Sequence, residues 1–302
     1  MTLQKLIFIV NEHSRKGKKF TRQLHRIMKD YTISYDVYKT EYKKHAMELA
    51  REFTELSDEK TLIIAVGGDG TLNEVVAGSI SAQKDVPIAY IPTGSGNDFA
   101  RARKLSKNIE ANIKRILSVK EPTQLDILTS NVKEEPIVAV NSIGFGLDGK
   151  VIYKLGKNKN KETIGKVSYL LTVLSAYFEQ KPFPLTIKSF DSNEHFDDTL
   201  LIVFANHKNF AGGIPIHPLA LATDEIIDVI VLKKVNFIGL LKLIVKVLVN
   251  ESHLSHEKVH SFRASSWHLT LHTPQHGQRD GELIDEAAYN MSIQTRKKKF
   301  WL

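Results

Sequence analysis

Four apolar, strand-forming runs punctuate the first part of the chain, at Lys5–Val10, Ile33–Tyr38, Thr61–Val66 and Val86–Ile91. A helical pattern follows each one, at Lys18–Lys29, Lys44–Leu56, Leu72–Ile80 and Asp98–Leu105. Strand and helix in alternation predict a parallel sheet with helices on its faces. The runs LIFIV and LIIAV are almost wholly apolar, which suits strands covered on both sides. After about residue 123 the rhythm changes to strand-like segments at Leu125–Thr129, Ile137–Ser142, Leu185–Phe190, Thr199–Ala205, Ile226–Leu232, Val259–Phe262, Trp267–His272 and Tyr289–Gln294. Helical patterns interrupt them only at Ile164–Phe178 and Phe237–Leu248. The reading is an α/β domain over 1–122 and an antiparallel β-sandwich domain over 123–291, hinged near Glu121–Pro122, with 292–302 able to rejoin the first. Gly156–Lys161 reads as an exposed basic loop.

A chain of 302 residues, 42% hydrophobic and 25% charged, has a globular composition and length enough for two cores. It has no cysteine, which excludes disulfides, thiolate metal sites and cysteine nucleophiles. The stretch around Leu6–Val10 leads into polar residues with no small-residue cleavage site, so it reads as a strand rather than a signal peptide. Phe237–Val249 is interrupted by Lys242 and Lys246 and is shorter than the ~20 residues a bilayer span needs. A cytoplasmic protein, peripheral at most to the inner face of a membrane, is expected. The net charge of +8 suits nucleic acid, anionic lipid or acidic substrates. No aromatic-interleaved basic stretch is present, so nucleic acid is set aside. His253, His256 and His260 have metal-like spacing, but the sequence after them looks extended and no metal is assigned there. The helix at Phe237–Leu248 reads as a helix packed on its own domain with snorkelling lysines ahead of the alternative, a basic membrane-docking element.

Directly after the third strand stands Gly67-Gly68-Asp69-Gly70-Thr71, and Leu72-Asn73-Glu74 opens the next helix. Glycines there let the backbone turn and approach a ligand without a Cβ in the way. The N–H groups of a helix start then favour an anion such as phosphate. Asp69 in such a loop makes sense where a cation or a polarised hydroxyl lies between it and phosphate. A glycine pair alone would be a tight turn with an acidic cap; the whole string GGDGTLNE argues for a ligand. The fourth strand ends in a second loop, Pro92-Thr93-Gly94-Ser95-Gly96-Asn97-Asp98-Phe99, at the edge where open α/β sheets bind ligands. Arg101, Arg103 and Lys104 just beyond are either phosphate partners or a solvated helix face.

GGDGTLNEV followed by PTGSGNDFAR resembles the diacylglycerol kinase catalytic domain of the lipid kinase family, which includes sphingosine and ceramide kinases. The first loop is shared with NAD kinases and resembles that of phosphofructokinases; the second makes the match specific. The resemblance spans nearly the whole chain and is best with short bacterial members. It implies a Rossmann-like first domain similar to NAD kinase and phosphofructokinase, then an antiparallel sandwich. Asn11, Ser14 and Gly17 resemble the family's first phosphate loop, with Glu12 and Arg15 where proline and glycine are usual. By the same resemblance Thr40 lies at an ATP contact, and Gly165-Lys166 with Tyr169 and Gly212-Gly213 with Pro218 match further segments. Asp280-Gly281-Glu282 matches the motif whose glutamate is the general base toward a lipid hydroxyl, a role implied for Glu282. Asp280 and Asp69 are implied to orient groups or to hold the catalytic magnesium. A further magnesium is implied in the second domain, on the Asp224 carboxylate and the carbonyls of Leu221 and Ile226, although Glu225 replaces the usual glycine.

The resemblance therefore implies an ATP-dependent, magnesium-using lipid kinase. ATP would contact Asn11, Thr40, Gly67 to Glu74 and Thr93 to Asp98, and the lipid, above all diacylglycerol, would enter an interdomain cleft towards Glu282 from an anionic membrane surface. A homodimer is expected from the family's habit. Two alternatives stay open. One is a kinase for another hydroxyl acceptor such as NAD, which GGDGTLNE favours and PTGSGNDFAR disfavours. The other is a catalytically silent nucleotide- or lipid-binding regulator, suggested by Glu12, Arg15 and Glu225 and opposed by Asp69, Asp280 and Glu282.

Overall fold

A computed structural model of the chain describes residues 3–58, 60–132, 136–157, 166–210 and 213–302. They divide into two compact units, Met1–Leu125 with Lys297–Leu302, and Asp126–Arg296. Gly165, Gly212 and the end of the Gly156–Lys161 loop lie outside the described residues.

Unit 1 runs β1 (Lys5–Val10), α1 (Gly17–Met28), β2 (Ser34–Lys39), α2 (His45–Leu56), β3 (Thr61–Gly67), α3 (Asp69–Ser81), β4 (Ile88–Pro92), α4 (Asp98–Ala102) and α5 (Ile109–Ser118). The strands are parallel in the order β2–β1–β3–β4. Leu6, Phe8, Val10, Leu62, Ile64 and Val66 join Phe20, Leu24, Ile113 and Ile116 of α1 and α5 in one core. The residues between them, Ile7, Ile9, Ile63 and Ala65, are also buried and point to the opposite face, because strand side chains alternate. There α2 and α3 pack on β1 and β3, which is why these strands carry no polar alternation. The helix α5 was not among the expected ones. Its signals are an Asn108 side chain accepting from the Ala111 N–H and a Glu110–Lys114 pair one turn apart.

The C-terminal residues complete unit 1. Phe300 pairs with Ile88, and Trp301 is fully buried with its indole N–H donating to the Ile116 carbonyl at 2.8 Å. The Lys298 ammonium is buried too, and it donates to Ser79 Oγ, Asp85 Oδ1 and the Val86 carbonyl. Three oxygens around one buried cation are what make its desolvation tolerable.

Unit 2 carries β5 (Thr123–Ser130, starting just before the boundary), β6 (Val138–Ala139), β7 (Ser142–Gly146), α6 (Leu147–Lys157), α7 (Lys166–Glu179), β8 (Phe183–Lys188) and β9 (Asn193–Ala205). It continues with β10 (Asn209–Phe210), β11 (Ile214–Pro215), β12 (Ile227–Lys233), α8 (Phe237–Val249), a 3-10 turn at Ser252–Ser255, β13 (Val259–Ala264), β14 (Ser266–Leu271), β15 (Gln275–Arg279), β16 (Glu282–Ala287) and β17 (Asn290–Phe300, whose last four residues belong to unit 1). The architecture is an antiparallel sandwich. Its long strand β9 pairs with β8 along its first part and lies between β7 and β12 along its second. Ile227, Val229 and Val231 of β12 enter the sandwich core with Phe204, Trp267 and Leu269. Ile230 and Leu232 point the other way, under a layer of helices.

Replacing Trp301 with Ala is expected to lower the stability of unit 1 by about 3–5 kcal/mol, read from urea unfolding followed by far-UV circular dichroism.

Candidate active site

In unit 1 the two glycine loops are joined backbone to backbone. The Gly67 carbonyl accepts from the N–H groups of Thr93 and Gly94 at 2.8 and 3.2 Å. A Cβ on Gly94 would stand 2.5 Å from the Gly68 Cα, so the close approach requires glycine there. Asp69 ties the loops a second time: its Oδ2 accepts from the Asp98 N–H at 3.0 Å and its Oδ1 from the Phe99 N–H at 3.1 Å. The start of α4 is thus capped by Asp69, whereas at the start of α3 the N-cap is Gly68, which brings no side chain.

The other residues singled out in the sequence gather around these loops. The Asn11 amide donates to Thr71 Oγ1, and the Ser14 hydroxyl lies 2.8 Å from that of Thr93. The Asn97 amide donates to the Gly94 carbonyl from a left-handed conformation (φ 53°). Burial pushes the Tyr90 phenol, beneath both loops, well above its ordinary value, so it stays a neutral donor near the Gly67 carbonyl. Ser95 is exposed at the tip of the second loop, and Gly70 and Gly96 are half-buried. Leu72 and Asn73 are buried in α3. Two residues expected at ATP have structural partners: Glu74 accepts from the Lys44 N–H at the start of α2, and the Thr40 N–H donates to the Val10 carbonyl. Arg101 reaches back to the Gly96 carbonyl.

In unit 2, Asp280 and Gly281 form the tight turn of the β15–β16 hairpin, both with positive φ, 48° and 84°. The Asp280 carboxylate accepts three backbone N–H groups, those of Val140, Asn141 and Ser142, at 2.7, 2.7 and 3.1 Å. Its visible role is to pin the hairpin turn to the strand entering β7. Glu282 follows at the first position of β16, with an exposed side chain.

Beneath α8 lies a cavity of about 280 Å³ whose walls are almost wholly apolar. Leu201, Val203, Ile230 and Leu232 form its sheet side, Val151 and Val173 come from α6 and α7, and Leu240, Leu243 and Val247 from α8. Among the described residues, the polar side chains on its wall are Asp148, Tyr169 and His253. Burial pushes the Asp148 carboxyl up to about 7, against the pull of the Gln278 amide that donates to its Oδ2 at 2.8 Å. The Gln278 side-chain oxygen Oε1 accepts from the Gly281 N–H, which joins the cavity wall to the hairpin turn. His253 donates from Nε2 to the Ile216 carbonyl, and burial lowers its imidazole below the ordinary range. Sequence reasoning missed the cavity and Asp148; the available signal was an acidic residue two positions after the glycine-rich, apolar strand SIGFG.

The second-domain magnesium implied at Leu221, Asp224 and Ile226 does not fit this geometry. Asp224 Oδ2 accepts from the Arg263 guanidinium at 3.0 Å, and Arg263 Nε donates to the fully buried Asp228 at 2.8 Å. A guanidinium already supplies the positive charge there. Asp224 Oδ1 is also occupied, accepting from the Ile226 N–H at 3.2 Å. Glu225 nevertheless adopts the left-handed conformation open to glycine (φ 60°), held by its N–H donating to Asp126 Oδ2 at 2.9 Å. The three histidines also part company: His253 turns to Ile216, His256 accepts from the Lys258 N–H, and His260 packs on Phe196.

Residues 5–129 match the family described as "Diacylglycerol kinase catalytic domain", and residues 141–297 match the "YegS C-terminal NAD kinase beta sandwich-like domain". The chain belongs to the diacylglycerol kinase catalytic domain family. It is similar to the Bacillus subtilis (strain 168) protein YtlR, named as a candidate lipid kinase, with 26% identity over 94% of this chain and 95% of that one. It is also similar to a Staphylococcus epidermidis protein named diacylglycerol kinase, with 28% identity over 85% and 80% of the two chains. Some other relatives match over a shorter span, such as a Staphylococcus carnosus protein with 32% identity over 54% of this chain and 52% of that one. The crystal structure of a candidate diacylglycerol kinase from Bacillus anthracis superposes with a TM-score of 0.75 at 22% identity, covering 99% and 98% of the two chains; this likeness is one of fold. Membership of a kinase family implies the use of a phosphoryl donor.

Two outcomes are expected of this site. The folded chain holds the Asp148 proton up to about pH 7, while the unfolded chain releases it near pH 4. Stability therefore falls as pH rises through that window and is flat above it. Asp148→Asn removes the effect, so its urea midpoint should gain on the wild type between pH 5 and pH 8. Arg263→Ala should cost about 3 kcal/mol by leaving the buried Asp228 with only the His217 imidazole beside it, while a chelator leaves the wild-type thermal midpoint unchanged.

Proposed function

We propose that the chain is an ATP-dependent kinase that transfers the γ-phosphoryl group to a lipid hydroxyl, with diacylglycerol as acceptor and phosphatidic acid as product. The observation that carries the acceptor class is the cavity beneath α8. Its walls suit an acyl chain and leave the ribose and phosphate oxygens of an NAD-like acceptor without partners. On the donor side, the paired glycine loops support a nucleotide whose phosphates meet the start of α3 and the hydroxyls of Thr71, Thr93 and Ser95. Asp69 is a carboxylate fixed by two backbone N–H groups, an oxygen donor of the kind a magnesium ion takes. That ion, when bound with the nucleotide, offsets charge on the phosphates.

Glu282 is proposed as the base. It accepts the proton of the acceptor hydroxyl; the oxygen bonds to the γ-phosphorus, the bond to the bridging oxygen breaks, and ADP leaves with that electron pair. Its support is an exposed carboxylate on a hairpin that Asp280 holds rigid. Asp280 is then a positioning residue rather than a catalytic one.

Radiolabelled γ-phosphate transfer into micelles presenting diacylglycerol, ceramide, sphingosine or phosphatidylglycerol, and separately to NAD, tests the reading. Label is expected in diacylglycerol, reduced at least about 100-fold by Glu282→Gln with ATP affinity retained. Unchanged turnover in that variant removes the base assignment, and label in NAD alone moves the chain to the other acceptor class.

A further inference from the structure

The helix α8 is apolar on nearly every side, and such a helix belongs in a protein core or in a membrane. Only one side is covered. Leu240 and Leu243 are buried towards the cavity, while Ile238, Leu241, Val245, Leu248 and Val249 are exposed, Ile238 by 63% and Val249 by 76%. Phe237 stacks at 5.2 Å on Phe178 of α7, itself 71% exposed, so the apolar surface continues across both helices. Single exposed apolar residues are ordinary, but a contiguous patch marks an interaction surface. With 13 residues α8 is about 20 Å long, too short to span a bilayer. Among the described residues no helix is long and apolar enough to cross one.

Charge indicates what covers this face. Lys242 and Lys246 border the exposed stripe, one and two turns from Ile238, and α8 contains no acidic residue. Lys181 and Lys234 are exposed where α7 ends and α8 begins. The one acidic residue of α7, Glu179, is taken by Lys154 and Lys150. A second copy packed symmetrically would set these lysines against their own kind. An anionic bilayer offers an apolar interior and a negative surface at the same depth.

We propose that the outer face of α8, with Phe178, docks into the interface of an anionic phospholipid bilayer. The proposal rests on the lipid-acceptor reading of the cavity. Val245 lies on the outer face, and Leu243 and Val247, its neighbours in sequence, lie on the cavity wall. A single helix then separates bilayer lipid from the acceptor cavity.

Vesicle flotation without ATP or diacylglycerol reads docking apart from turnover. The protein is expected to float with phosphatidylglycerol-containing vesicles and not with phosphatidylcholine alone. Lys242→Ala with Lys246→Ala should weaken that binding about tenfold or more. Ile238→Glu with Val245→Glu should abolish it and leave turnover of a short-chain, monomeric diacylglycerol unchanged. Because the chain has no cysteine, Val249→Cys carrying an environment-sensitive dye gives a second readout, with a blue shift on anionic vesicles. Turnover of the soluble substrate without flotation or a blue shift overturns the docking surface and spares the kinase. Flotation and a blue shift without transfer to any lipid support docking while the kinase reading falls. A dimer that the glutamate variant splits, with vesicle binding unchanged, assigns the face to a second copy and overturns the proposal.

Discussion

A carboxylate gripping backbone N–H groups is the interaction on which both site-bearing regions rest. Asp69 holds the first turn of α4, Asp280 holds the chain at Val140–Ser142, Glu74 holds the start of α2, and Asp126 holds the turn at Glu225. Hydrogen bonds to a charged acceptor are worth about 1.5–3 kcal/mol each, roughly twice a neutral one. They also fix a loop in one conformation, which a packed apolar side chain on an exposed loop cannot do. The acidic residues that look most functional in the sequence are therefore, in part, the ones that build the loops.

The second organising constraint is burial of sheet on both faces. In unit 1 it places α1 and α5 on one side and α2 and α3 on the other, so that the strand ends carrying Asn11, Gly67 and Thr93 lie side by side. In unit 2 the strands β9 and β12 have apolar residues on both faces as well, but the second face meets α6, α7 and α8 across a gap. That gap is the cavity. Its apolar wall is disrupted by one carboxyl whose burial keeps it protonated to about pH 7. An uncharged Asp148 lets an apolar chamber contain a polar handle without a buried charge.

Much of this was legible in the sequence. The alternation of strand and helix, the two glycine loops and the later run of strands each reflect chemistry between near neighbours. The string Asp280-Gly281-Glu282 carried two readings, a hairpin turn and a family motif, and the structure shows the turn presenting an exposed Glu282. Missed elements were either short or patterned without strong alternation, as with α6 and the hairpin strands β15 and β16. The cation implied at Asp224 meets a competitor that no local pattern reveals: Arg263 is 39 residues away in the chain.

The sequence by itself determined the α/β unit, the sandwich after it and the two glycine loops, because periodicity and turn chemistry act over a few residues. Only the tertiary structure decided which carboxylates are committed to backbone N–H groups, that a guanidinium neutralises Asp224, and that Asp148 meets Gln278, 130 residues on, at the wall of an apolar cavity. Those outcomes depend on which strands become neighbours, and that is set by the packing of whole sheets and helices rather than by any local pattern.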